Sequence, residues 1–188
     1  MSGGHGHIDP SNKQVALLIA ILALVLAISE TLGKSAQTAG LSANIEASNL
    51  WAFFQAKTVR MTVLRTASEQ VEAELPLADN AKVREALAKR VDKWKKTWER
   101  YDTEPETQEG RKELAARAKA AEKRRDYSLA AYHHFEVASA AVQIAIVLAS
   151  ASIITAIAAL AWSAVALGAL GIAFCVIGFW FPAAVQLF

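Results

Sequence analysis

Beyond Asp126 the chain carries one formal charge, Glu136, in its last 62 residues. So few ionised groups cannot cover a water-facing surface of that length, which excludes an ordinary soluble globule. The other acidic and basic residues, from totals of 18 and 20, all lie before that point. The pattern predicts an all-α integral membrane protein with three transmembrane helices and an extramembrane helical hairpin and stalk. It advertises no activity.

Residues 15–28 read VALLIAILALVLAI, without a polar side chain. With their neighbours they supply about 20 residues, enough at about 1.5 Å rise each to cross a hydrocarbon core of about 30 Å. A first span over 12–34 is therefore expected, after a Gly-rich tail at 1–11. A cleaved signal peptide is the competing reading. Lys13 is the only Lys or Arg in the run-up to the apolar core and no small-x-small cleavage site follows, which favours a retained span.

A second and a third span are expected at about 137–159 and 163–181, as a hairpin within 134–188. Trp162 marks its turn, Trp180 and Phe181 mark the opposite headgroup level, and Pro182 ends it. Lys34 follows span one, and Arg117, Lys119, Lys123, Arg124 and Arg125 precede span two, while the hairpin turn has no charge. By the positive-inside rule the central region is expected to face the cytoplasm, in a multi-pass protein. Lys13 and the terminal amine on the N-tail keep the mirror arrangement as the alternative.

The extramembrane region, 35–133, has few breakers. Pro76, Pro105 and Gly110 divide it into helices over about 42–75, 79–103 and 106 onward. The first places Leu50, Phe54, Met61, Leu64, Val71 and Leu75 on one seam, with Lys57 and Ser68 at intervening core positions. The second repeats Leu87, Val91, Trp94, Trp98 and Tyr101. The third presents Leu114, Ala118, Ala121, Leu129, Tyr132 and Phe135, and a continuous helix over 107–158 would reach about 78 Å. Asp79 is the expected cap of the second helix, and Gly40 or Ser42 a candidate break after span one.

Glu30 and Glu136 lie at the interfacial ends of apolar runs, where ionisable groups are functional candidates; the plainer reading is that each snorkels to water or pairs with Lys34, Arg125 or a histidine. With Gln143, Ser150 and Thr155 they form the candidate interfacial or pore-facing set. Trp94, Trp98 and Tyr101 share one helical face while Lys93, Lys95, Lys96 and Arg100 take the other, which suits core packing first, and a membrane-surface or protein contact second, better than nucleic acid. His5 and His7 in the tail and the adjacent His133 and His134 make no expected metal site. Cys175, in AFCVIG, reads as a small hydrophobe with no polar neighbour. No phosphate loop, nucleophile elbow or zinc motif appears, so neither an enzyme nor a cofactor is expected.

The apolar start, SAQTAGLSANIEASNLWAFFQAKTVR at 35–60, the charged middle, RRDYSLAAYHHFEVASAAVQIAIVLAS at 124–150 and the terminal hairpin together resemble the bacterial membrane family catalogued as domain of unknown function 4337. The resemblance covers nearly the whole chain and implies the same membrane architecture. It transfers no activity and no catalytic residue. It also implies that Asn44, Glu46, Asn49 and Gln55 belong to a shared pattern, read physically as a polar lattice between helices.

The expected partners are the lipid bilayer, further copies of the chain in a homo-oligomer, and a protein bound through the extramembrane helices. Close approach in the oligomer is assigned to Ala164, Gly168, Gly171 and Gly178. The favoured role is a structural or scaffold protein. The alternative is a channel or transport-associated subunit with an oligomeric pore lined by the polar residues of span two.

Overall fold

The computed structural model describes residues 10–184; the tail bearing His5 and His7 lies outside the described residues, as do the last four positions of the apolar C-terminus. Four α-helices follow in order: α1 at Pro10–Glu74, α2 at Ala81–Asp102, α3 at Arg111–Thr155 and α4 at Ala158–Trp180, with a 3-10 turn at Leu75–Leu77. No strand occurs among the described residues. The chain divides into two compact units, one comprising the segments up to Leu41 and from Arg125 onward, the other Ser42–Arg124.

The first unit packs the start of α1, the end of α3 and α4 around Leu22, Val142, Ala145, Ala149 and Ala164. Its three helices are each long and apolar enough to cross a membrane. Even in the best-covered of them only 33 % of the most apolar window is buried. Leu17, Leu24, Val147, Ile154 and Phe179 face outward instead, so the exterior of this unit carries large apolar side chains on all three helices.

α1 continues through Gly40 and Ser42 without a break. Gly40 is buried, and a Cβ added there would come within 3.0 Å of Leu129 on α3, so this glycine serves close helix approach. α4 works the same way. Ala164, Gly168, Gly171 and Gly178 are its buried residues. A Cβ at Gly168 would lie 2.5 Å from Leu22, and one at Gly171 2.5 Å from Val142. The small-residue stripe expected to meet another subunit is therefore filled within the protomer.

The hairpin turn also comes earlier than expected. α3 ends at Thr155, Ala156 takes a left-handed φ of 54°, and α4 starts at Ala158, which leaves Trp162 inside α4 and 74 % exposed. The Thr155 hydroxyl accepts the Ile157 N–H at 3.4 Å and satisfies one donor that the turn would leave open.

In the second unit the later part of α1 and the first part of α3 enclose Ala47, Leu50, Leu114, Ala118 and Ala121, with Trp51 and Phe54 against them. Asn80, and not Asp79, caps α2: its side-chain oxygen accepts from the N–H groups of Lys82 at 2.9 Å and Val83 at 3.4 Å. α3 begins at Arg111, later than the expected 107, because the chain first turns through Gln108 at φ 59°. Gly110 closes that turn. The Glu113 carboxylate takes the Glu104 N–H at 3.2 Å, and any Cβ at Gly110 would fall on both groups.

Candidate functional site

In the first unit a cleft of about 420 Å³ opens between α1 and α3. Helical spacing builds it. Ser29, Glu30, Gly33, Lys34 and Gln37 recur on one face of α1, and Tyr132, Glu136, Ser139 and Gln143 repeat at intervals of four, three and four on α3. Three of the candidate residues, Glu30, Glu136 and Gln143, thus share one site. The Gln143 amide donates to Glu30 Oε1 at 3.2 Å, and Glu136 lies 3.5 Å from the Tyr132 hydroxyl and 3.6 Å from His133 Nδ1. Lys34 lines the cleft without an ion pair among the described residues. Ser139 is 9 % exposed, and its hydroxyl finds no partner among the described residues. Two carboxylates facing one ammonium give the cleft a net acidic character, suited to a cation or a protonated amine.

Ser150 and Thr155 stand apart from it. Their hydroxyls donate to carbonyls one turn back in α3, those of Ile146 at 2.8 Å and Ala151 at 2.9 Å. Such back-bonding satisfies a hydroxyl inside an apolar helix without any neighbour.

The second unit has a different centre. Lys57 is 6 % exposed, and its ammonium sits 3.7 Å from Glu104 and 3.9 Å from Glu109. The rings of Tyr101, at 5.0 Å, and Phe53, at 5.3 Å, complete a cation-binding cage. Around it Arg65 lies over Trp98 and Arg111 over Phe54. The candidate face Trp94, Trp98 and Tyr101 is therefore engaged by cations: Tyr101 by Lys57, Trp98 by Arg65, and Trp94 by Arg90 from its own helix. Core placement of Lys57 follows from heptad spacing, and Phe53 is one turn back on the same helix, but Tyr101, Glu104 and Glu109 come from another helix and the loop after it, which spacing does not reach.

Two local readings need correction. Cys175 does have a polar neighbour, since Ser29 Oγ lies 2.7 Å from its sulfur. The polar set of α1 forms no single lattice: Glu46 pairs with Arg124 at 2.6 Å, but Asn49 and Gln55 are exposed. Trp51, which the lattice left out, donates its indole N–H to Glu122 at 2.8 Å. His133 and His134 diverge as adjacent helical residues must. His134 is buried beside Phe174, with Nε2 3.3 Å from the Pro182 carbonyl, while His133 turns to Glu136.

A family model described as a domain of unknown function, DUF4337, matches residues 11–181. The chain belongs to the DUF4337 family. No curated protein and no solved structure matches it. Nearly every residue of both units lies inside the matched range, the residues of the cleft and of the Lys57 cage included. The family description carries no chemistry, and the roles of these residues rest on their geometry.

Proposed function

We propose that this DUF4337 chain is a multi-pass protein of the bacterial inner membrane with a structural, non-catalytic role, and that its Ser42–Arg124 unit is a cytoplasmic scaffold. The supporting observation is the Lys57 cage. The one buried cation of that unit is matched by two carboxylates and two ring faces, so it acts as a fastener between helices and presents no reactive group to a substrate. Orientation follows from the Lys and Arg clusters next to the apolar spans.

A second reading, a transport-associated subunit, draws on the cleft, where Glu30, Glu136, Gln143 and the unpartnered Ser139 hydroxyl converge. Its weakness is continuity: Ser150 and Thr155 spend their hydroxyls on their own helix, so no polar line extends from the cleft along α3.

Reconstituted vesicles separate the two. The scaffold reading expects no cation or proton flux above that of empty vesicles; flux that falls on Glu136→Gln or Glu30→Gln would replace it with the transport reading. Sidedness is tested with Glu106→Cys in a Cys175→Ser background. Labelling by an impermeant maleimide from outside intact cells would reverse the orientation.

A further inference from the structure

α1 carries two seams on opposite faces within the Ser42–Arg124 unit. One is the packed face of Leu50, Phe54 and Lys57. The other, half a turn away at about 100° per residue, consists of Ile45, Asn49, Ala52, Ala56, Val59 and Val63, spaced four, three, four, three and four. All six are exposed, Ile45 to 54 % and Val59 and Val63 to 62 % each. None is charged. The water-facing side of α2 shows what a solvated face looks like in the same unit: Glu85 pairs with Lys89, and Asp92 with Lys96.

These intervals are those of a heptad, with Ile45, Ala52 and Val59 at d and Asn49, Ala56 and Val63 at a. The alanines permit close backbone approach, and a single asparagine at an a position fixes register by bonding its own counterpart. Charges flank the seam only at Glu46 and Arg60, both at e. In a parallel pair each e position faces a g position, here Leu41, Ser48 or Gln55, so no like charges oppose. A lipid surface would instead call for basic residues along both edges. Two copies leave the same membrane at the same residue of the same unbroken helix, which aligns this segment parallel and in register.

We propose that residues 45–63 of α1 form a parallel, in-register dimer seam with the same segment of a second copy of this chain. The proposal rests on the scaffold reading and names its partner. The partner is not met through the α4 glycines, since these are consumed within the protomer.

The test uses full-length protein in proteoliposomes, in a Cys175→Ser background. Under mild oxidation Ile45→Cys and Val59→Cys each form same-site disulfide dimers, while Lys89→Cys on the charged face of α2 stays monomeric. Ala56→Glu, at an exposed position that folding does not require, lowers the dimer yield at both sites at least tenfold with helicity and melting unchanged. Several results would overturn the proposal: no disulfide at either site in inserted, folded protein; equal cross-linking at Lys89→Cys; preferential joining of position 45 to position 59 of the other copy; or a yield indifferent to Ala56→Glu. The readings fail separately. Ion flux from protein that still cross-links at 45 sinks the scaffold and leaves the seam, whereas inserted, non-conducting, monomeric protein does the reverse.

Discussion

The Ser29 hydroxyl on α1 lies 2.7 Å from the Cys175 thiol on α4. Ser29 is fully buried and also donates to the Val25 carbonyl at 2.9 Å, which leaves its lone pair to accept the thiol proton. Polar contacts between helices in an apolar surrounding contribute about 0.6–1.7 kcal/mol. Cys175→Ser keeps a donor of similar size and should leave the melting temperature in detergent unchanged. Ser29→Ala should cost about 1 kcal/mol, and a double-mutant cycle should assign that loss to the pair; additive effects would show that the two groups do not interact.

Gly171 sets how closely α4 approaches α3. A Cβ there would lie 2.5 Å from Val142 and 3.1 Å from the Ala138 carbonyl, and the latter is backbone that cannot swing away. Gly171→Val should cost about 1–3 kcal/mol or more by overpacking, read as an earlier thermal transition in detergent. The same enlargement at Ala169, exposed on α4, should be nearly silent.

Lys57 allows a sharper contrast between charge and packing. Lys57→Met keeps the stem volume and removes a buried cation; Glu104 retains Arg100 at 3.5 Å, and Glu109 is half exposed. Its cost should stay within about 1 kcal/mol, or stability should rise. Lys57→Glu would set a third carboxylate beside two others and against ring faces, at about 3–5 kcal/mol. Denaturant unfolding followed by tryptophan fluorescence measures both, and equal losses would mean that the charge itself is not what the cage recognises.

How much of this was legible in the sequence depended on whether a feature repeats along a helix or joins positions far apart. Heptad spacing alone put Lys57 and Ser68 inside, and both are buried, at 6 % and 1 % exposure. The same arithmetic along α3 brings Tyr132 and Ser139 to Glu136, whereas the sequence reading keeps Tyr132 on a packing seam and Ser139 only among the polar residues of span two. Glycine is ambiguous in the sequence: Gly40 has the pattern of a breaker and the α4 glycines that of an outward-facing contact, whereas both kinds admit neighbours in the same protomer. The left-handed turn positions fell on Gln108 and Ala156, side chains that carry no turn signal. The Ser29–Cys175 pair spans 146 positions, a separation that no local pattern encodes.

Ala156 gives the most direct test of how the hairpin turns. It sits at φ 54° between Thr155, which ends α3, and Ile157, which caps α4. A residue with a Cβ held in the left-handed region costs about 1–2 kcal/mol relative to the right-handed one, and glycine escapes that cost. Elsewhere Ala→Gly destabilises a helix by about 0.5–1 kcal/mol through the entropy of the unfolded chain. The two substitutions should therefore differ in sign along one helical hairpin. Ala156→Gly should raise the thermal transition, Ala166→Gly on the exposed face of α4 should lower it, and Ala156→Val, β-branched at positive φ, should lower it furthest. If Ala156→Gly destabilised the protein as much as Ala166→Gly, residue 156 would have to be helical in solution, and the turn, together with the position of Trp162 on α4, would have to move towards the C-terminus.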